Sequence, residues 1–375
     1  MRIAERFEMQ KTEMPVVILV GTPYERGVAH GVRFQNEIAG VLARDVGALP
    51  ATERSAAGRR AVAAFEAVRA ISPDTAEEII GIAEGAGQPL SDLVLRSGFE
   101  LFKRDSDSGC SAIALKTKTG AIAAQNWDAP VQKHAELGLF LHFSRNAFEF
   151  AVVASFGGLG WVGMNRHGLA LVNNDLVLNG YRDGIPSQIV RRILLAMPDV
   201  ESAADALAAL PHMGGRSYLI GGRTGEIAAA EVSAKSGANF LPPADTYLHT
   251  NNSLLSTTRN EENQDALRGI YPSSAARLAA LQGALSGEEL SVEGVKRVLC
   301  DETGAPNAVC KTASADEPTE TAFSIIMDCG RGEMHLASGK PSMNGYRKVV
   351  LPAISEIMWS TGIMGSLPQS SNFIA

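Results

Sequence analysis

"KRDSDSGCSAIALKTKTGAIAAQNWDAP", Lys103 to Pro130, decides how the chain is read. A polar run stops at Gly109, Cys110 follows, and two apolar runs, "SAIALKT" and "AIAAQNW", flank Lys118-Thr119-Gly120. Such runs around a glycine turn predict an antiparallel hairpin. A three-residue loop, Lys118 to Gly120 with Gly120 in the left-handed position, sets Thr117 opposite Ala121. Cys110 then falls opposite Asp128, and Ala112 opposite Asn126. Directly opposed residues share a face, with Cβ atoms about 4.5–5.5 Å apart. This register gathers Cys110, Asn126 and Asp128 among the small Ala112, Ala114 and Ala124. Ile113, Leu115 and Trp127 take the other face and read as core.

Most free cysteines are small buried hydrophobes. A carboxylate directly opposite argues against that reading here, because burying it beside a thiol requires a cation. Cutting the Gly109–Cys110 bond would supply one: the α-ammonium of Cys110, within reach of Asp128. That amine, with an ordinary pKa of about 7.7–8.0, can take the thiol proton near neutrality. The pattern is the terminal-amine version of a nucleophile and its base. Gly109 permits the backbone bend that an N-to-S acyl shift demands. The polar "DSDSG" suits a segment that is let go.

Outward from this hairpin, the rest of the chain after Cys110 repeats the motif. "LGLFLHFS" and "FEFAVVASF" flank Arg145 to Ala147. "GWVGM" and "LALVNN", "SYLIGG" and "EIAAAEV", and "FSIIMDC" and "EMHLAS" likewise flank short turns. The helical stretches "SQIVRRILLAMPDVESAADALAAL", "SSAARLAALQGAL" and "SVEGVKRVLCD" separate them. Before Gly109 the chain reads as one strand, "VVILV", then helices. "TPYE" is a helix start with Thr22 as N-cap, Pro23 in the first turn and Glu25 closing a capping box. "TAEEIIGIAEGAG" ends on glycine as helices do. Hairpins and amphipathic helices in this order predict an α+β protein of antiparallel sheets covered by helices, and disfavour a βαβ architecture.

Composition narrows the function. The 375 residues are 45% hydrophobic and 20% charged, an ordinary globular balance. A net charge of -7 and no basic stripe exclude a general nucleic-acid surface. The charged start "MRIAERFEMQKTEMP" lacks the apolar region of a signal peptide, and no apolar run is long enough to span a bilayer. Four scattered cysteines without a CxxC pair argue against a zinc site or a disulfide scaffold, so no metal or cofactor and a reducing, cytoplasmic setting are expected.

Seven fragments in order resemble the N-terminal-nucleophile hydrolases of the acyl-CoA:isopenicillin N (6-aminopenicillanic acid) acyltransferase type, peptidase family C45. They are "GTPYERGVAHG" (21–31), "GCSAIAL" (109–115), "QNWD" (125–128), "HTNN" (249–252), "SSAARL" (273–278), "LCDETGAPNAVC" (299–310) and "SIIMD...SGKP" (324–341). The resemblance implies a four-layer αββα sandwich made as one precursor and cleaved before Cys110. The products would be a mostly helical part, 1–109, and a part, 110–375, that carries the nucleophile, together forming one domain. It implies Cys110 as nucleophile, Asp128 as the residue that orients its amine, and Asn251 as the oxyanion-hole side chain. Asn252 stands where the family has histidine, which leaves two neighbouring amides. The family's late arginine has two candidates, Arg277 and Arg331. Gly109 and Asn126 complete the expected neighbourhood.

The remaining motifs have plainer explanations. "GLGWVG" (158–163) matches GxGxxG but leads into a turn and a strand, so its glycines read as packing. His30 lies beside Gly27 and Gly31 on a capped helix and reads as a close helix contact. His249 is the one candidate for a papain-like pairing with Cys110. Cys300, Cys310 and Cys329 read as core. The expected activity is cleavage of a linear amide through an acyl-Cys110 intermediate, with a small-molecule amide as partner and water as acceptor. Acyl-CoA-dependent N-acyl transfer is the first alternative. An unprocessed, non-catalytic ligand-binding homologue is the second. An oligomer is compatible with either.

Overall fold

The computed structural model describes residues 13–102, 108–144 and 147–352. Most of the charged N-terminal stretch, most of the polar run before Ser108, and Arg145 and Asn146 of one expected turn lie outside the described residues.

The chain opens with β1 (Val16–Val20), then α1 (Pro23–Arg33), α2 (Gln35–Leu42), α3 (Ala51–Ile71), α4 (Pro73–Ala86) and α5 (Leu90–Leu95). The expected hairpins follow: β2 (Gly109–Thr117) with β3 (Gly120–Ala129), β4 (Leu137–Phe143) with β5 (Phe150–Ser155), and β6 (Val162–Asn165) with β7 (Ala170–Asp175). Next come α6 (Ser187–Leu195), α7 (Val200–Ala209), β8 (Arg216–Gly221), β9 (Ile227–Ser233), β10 (Gly237–Phe240) and β11 (Thr246–His249). The last part holds α8 (Ser256–Arg259), α9 (Gln264–Ile270), α10 (Ser274–Leu285), α11 (Val292–Leu299), β12 (Glu320–Asp328), β13 (Glu333–Ser338), α12 (Pro341–Asn344) and β14 (Arg347–Val350). The stretch read as one helix from Ser187 is two, because Pro198 has no N–H to give and Asp199 caps α7 by accepting from Ser202 N.

Two sheets result. One has eight strands in the order β1-β4-β5-β6-β7-β8-β9-β10, the other six in the order β11-β2-β3-β12-β13-β14. All pairs are antiparallel except β1 with β4, which correspond in parallel, Val16 to Leu139 through Val20 to Phe143. The expectation of purely antiparallel sheets is corrected at that one edge.

Three apolar clusters show how the layers stack. The first joins α1–α7 to one face of the eight-stranded sheet, through Ile38, Val68, Ile82, Phe140 and Val152. The second lies between the sheets, with Ala112, Ala114, Leu141, Val153, Ile325 and Met327. The third joins the outer face of the six-stranded sheet to α10 and α11, through Ile113, Leu115, Leu281, Val295 and Leu299. Three interfaces make four layers, helix-sheet-sheet-helix.

The helical layer is anchored by the signals read from sequence. Thr22 and Glu25 form the reciprocal capping box of α1, and α4 ends at Gly87 in the left-handed conformation, φ 63°. Gly27 packs backbone to backbone on α4: a Cβ there would lie 2.2 Å from Glu78 O. His30 is buried in this contact, and its Nε2 accepts the Gly157 N–H at 3.0 Å. Among the described residues no helix is long and apolar enough to cross a membrane.

Candidate active site

The β2–β3 hairpin forms, with its register one residue from the expected one. Thr117 pairs with Gly120, so Lys118 and Thr119 alone make the turn. Gly120 is a glycine for close approach: at φ +148° its absent Cβ would lie 2.6 Å from Arg223 O and 2.7 Å from Gly330 Cα. The slip exchanges the faces. Cys110 pairs with Trp127 and lies in the cluster between the sheets. Asp128 pairs with Gly109, and Asn126 with Ser111. Ile113 and Leu115 are core, as read, but on the outer side against α10 and α11, opposite to Trp127.

Asp128 nevertheless meets the Gly109–Cys110 junction through Gly109. A Cβ on Gly109 would lie 3.3 Å from Arg277 Nη2, 3.5 Å from Asp128 Oδ2 and 3.6 Å from Asn251 Oδ1. Three polar groups thus converge on the residue before the cysteine. β11 brings Asn251 there. It pairs antiparallel with β2, His249 opposite Ala112, so two residues further on the chain reaches Cys110. Asn251 Oδ1 accepts the Cys110 N–H at 3.2 Å and an Arg277 Nη2–H at 2.8 Å. Its Nδ2 donates to Asp175 O at 3.0 Å, which engages one of its two N–H bonds. Arg277, on α10, donates through Nη1 to Cys110 O at 2.5 Å and to Ser111 Oγ at 3.0 Å, and through Nε to Ser273 Oγ at 3.1 Å. Ser274 Oγ in turn accepts the Asn251 N–H at 2.8 Å, which ties α10 to the Asn251 turn.

The charges are buried. Asp128 is fully inaccessible, with Oδ1 accepting from Thr321 Oγ at 2.8 Å and Oδ2 at 3.9 Å from Arg277 Nη1. Burial pushes its carboxyl up to about 6, against the downward pull of Arg277 and Lys311. Lys311 is itself buried and hydrogen-bonds Thr319 Oγ at 2.6 Å while pairing with Glu317 at 2.5 Å. The Cys110 thiol is pushed well above its ordinary value by burial and by the carboxylates of Asp175 and Asp128, with Arg277 and Arg191 opposing.

The other expected neighbours are elsewhere. Asn252 lines a cavity of about 320 Å³ with Arg259 and Glu262, away from Cys110, so Asn251 is the amide at the junction. Asn126 donates through Nδ2 to Leu299 O and Val309 O, both at 2.9 Å, and ties down the end of α11. Arg331 pairs with Asp328 at the far hairpin tip, and of the two candidates Arg277 is the one at the Gly109–Cys110 junction. His249 bridges Glu231 Oε1 at 2.8 Å and Thr250 O at 2.7 Å, so neither ring nitrogen serves Cys110. Asp175, Ser111, Thr321 and Lys311 were not singled out in the sequence. Thr321 and Lys311 reach Asp128 only because β12 pairs with β3 from almost two hundred residues away. Among the described residues no group of three or more His, Cys, Asp or Glu is placed to hold a metal ion.

The family model described as acyl-coenzyme A:6-aminopenicillanic acid acyl-transferase matches residues 115–343, a span that includes Asp128, Asn251 and Arg277. The acyl-coenzyme A:6-aminopenicillanic-acid-acyltransferase 40 kDa form of Emericella nidulans is 26% identical over 333 residues, 86% of this chain and 92% of that protein. Among solved structures, a mutant of the conjugated bile acid hydrolase from Clostridium perfringens is 13% identical, with a TM-score of 0.40 over 61% of this chain and 89% of that one. Penicillin V acylase from Agrobacterium tumefaciens is 15% identical, with a TM-score of 0.41 over 65% of this chain and 92% of that one.

Proposed function

Given that the chain belongs to the acyl-coenzyme A:6-aminopenicillanic acid acyl-transferase family, we propose that it is a self-processing amidohydrolase whose nucleophile is Cys110. One observation carries the reading. Both polar groups of the Cys110 backbone are held by side chains, the N–H by Asn251 and the C=O by Arg277, directly beside Asp128. An ordinary strand residue gives these groups to the ladder. Here side chains take them next to the Gly109–Cys110 bond, which supports a reading of chemistry on that bond.

In processing, Cys110 Sγ attacks the Gly109 carbonyl carbon, the C–N bond breaks as the thiol proton passes to the departing Cys110 nitrogen, and Gly109 is carried as a thioester on sulfur. Water hydrolyses the thioester. The products are a carboxylate on Gly109 and a free α-amine on Cys110, at the position now held by Asn251 Oδ1. In turnover that amine takes the thiol proton, Sγ attacks the substrate carbonyl, and the proton passes to the leaving amine. The second Asn251 N–H stabilises the oxyanion, and Asp128 with Arg277 orients the α-amine. Water then releases the acid and regenerates the thiol. The four free cysteines accord with a reducing, cytoplasmic setting.

Acyl transfer is the second reading, favoured by the acyltransferase named in the family description and in the Emericella nidulans relative. Intact-mass spectrometry of purified protein, followed by product analysis with an amide or acyl-CoA donor and 6-aminopenicillanic acid as acceptor, tests both. Free acid as the main product from either donor is expected. Dominant amide product from acyl-CoA would replace hydrolysis by transfer. A full-length mass with ligand binding and no turnover would leave a non-catalytic binding protein.

A further inference from the structure

A second polar group lies next to the nucleophile and takes no part in the chemistry above. Trp127, the cross-strand partner of Cys110, stacks on Trp161 with ring centroids 5.4 Å apart, and the Arg191 guanidinium sits 5.3 Å from the centroid of Trp161. Two indoles therefore lead from the thiol to an arginine. Arg191 is 1% exposed. Its Nη1 reaches only Gly160 O, at 3.5 Å, while its Nε and Nη2 have no hydrogen-bond partner among the described residues. The other charges nearby are matched with one another: Arg216 pairs with Glu100 at 2.8 Å and with Asp175 at 2.9 Å.

Among the described residues, the unmatched polar atoms here include Trp161 Nε1, Glu100 Oε2 and Tyr218 Oη, a hydroxyl that can donate or accept, besides Arg191 Nε and Nη2. Tyr218 shares a face of β8 with Arg216 and is close enough for its charge state to bear on Arg191. A buried guanidinium without a contacting anion is costly, and burial holds the Arg191 pKa below its ordinary value. Donors of this kind at the end of an aromatic wall suit a negatively charged hydrogen-bond acceptor. Arginine's planar fork matches a carboxylate in two parallel hydrogen bonds.

We propose that Arg191 binds the carboxylate of the substrate, so that the amides this site cleaves are carboxylate-bearing linear amides whose apolar part lies along Trp127 and Trp161. The proposal rests on Cys110 as nucleophile but is tested separately from it. Two substrate pairs serve as probes, each with the ring between amide and charge: 4-(acetamidomethyl)benzoate and its methyl ester place the charge on the amine half, N-methyl-(4-carboxyphenyl)acetamide and its methyl ester place it on the acyl half. For one of these pairs kcat/KM is expected to favour the acid by at least about tenfold, the usual worth of a charge-assisted hydrogen bond. Arg191→Gln should collapse that ratio, and Arg191→Lys should restore part of it. Self-cleavage, read by intact mass, reports whether each variant folds, and Arg191→Lys carries the test alone if Arg191→Gln does not fold. Equal turnover of acid and ester in both pairs, or an unchanged ratio in the variants, overturns the carboxylate site and leaves the amidase intact. Calorimetric binding of the acids but not the esters, lost in Arg191→Gln, with no turnover of either, supports the site and overturns the amidase. Neither turnover nor charge-dependent binding overturns both.

Discussion

Cys110 and Asp128 are the residues most exposed to test. Cys110→Ala should stay at full length, and Cys110→Ser should cut slowly, since the alcohol is the poorer nucleophile. Wild-type protein cut after Gly109 gives pieces of 109 and 266 residues from the 375, which intact mass resolves. Asn251→Ala removes the acceptor of the Cys110 N–H and is expected to slow processing and turnover by about 10²–10³, the usual worth of an oxyanion-hole group. Wild-type rates in this variant would defeat its assignment. Asp128 gives a test in pH. Its folded pKa of about 6 lies above the ordinary 3.8, so the folded state favours the protonated form. That contribution is whole below about pH 4 and is lost as pH rises through 6, a change of about 3 kcal/mol. Buried His30, lowered to about 3 by desolvation and by Arg192, works in the opposite sense, so a difference between two proteins is needed. In the uncut Cys110→Ala background, Asp128→Asn should gain about 2 kcal/mol relative to Asp128 between pH 4 and pH 7, read from urea midpoints. A pH-independent gap would show that Asp128 is not buried as described.

At the scale of elements, the sequence was most legible where structure is local. The capping box at Thr22, the glycine end of α4 and the hairpins stand where their residues put them. The turn of the decisive hairpin is tighter than its residues predict because Gly120 answers to a distant contact. Gly330 and Arg223, from two other turns, press against it, and nothing within Lys116 to Ala121 announces them. That one residue moved Cys110 to the opposite face from Asp128, while the nearness of the two survived through Gly109. Asn251 and Arg277 were legible only by family resemblance, and Thr321 and Lys311 not at all, because their places depend on pairings between remote strands. Glycines are also decisive between α1 and α4. A Cβ on Gly27 or Gly81 would come within 2.2 Å of a backbone oxygen of the facing helix, which no side-chain rotation relieves. Gly81→Ala should therefore cost about 3 kcal/mol or more by urea denaturation, at the upper end of overpacking penalties. A loss under about 1 kcal/mol would mean that the helices lie further apart.

Over the whole molecule, the cut would fall inside one shared structure. Residues before Cys110 supply β1, an edge of the eight-stranded sheet, and α1–α5, which cover its outer face. Residues after it supply every other strand except for Gly109 at the start of β2. Neither piece buries its apolar face without the other, so cleavage should change covalent connectivity without releasing a domain. Circular dichroism of cut and uncut protein should coincide, and the pieces should co-elute in size-exclusion chromatography.

The parallel pairing of β1 with β4 then acquires a meaning in time. In the uncut chain the helical part is delivered to its sheet by its own tether. A cut would make the same encounter one between two molecules, with a rate that depends on their concentration. The uncut Cys110→Ala protein should recover from urea at a rate independent of dilution. The processed protein should recover with a half-time that lengthens in proportion to dilution, and at nanomolar levels it should hardly recover at all. Maturation of this kind would be a ratchet: the chain would assemble once as a single molecule, and the cut form would persist through slow unfolding rather than through ready reassembly.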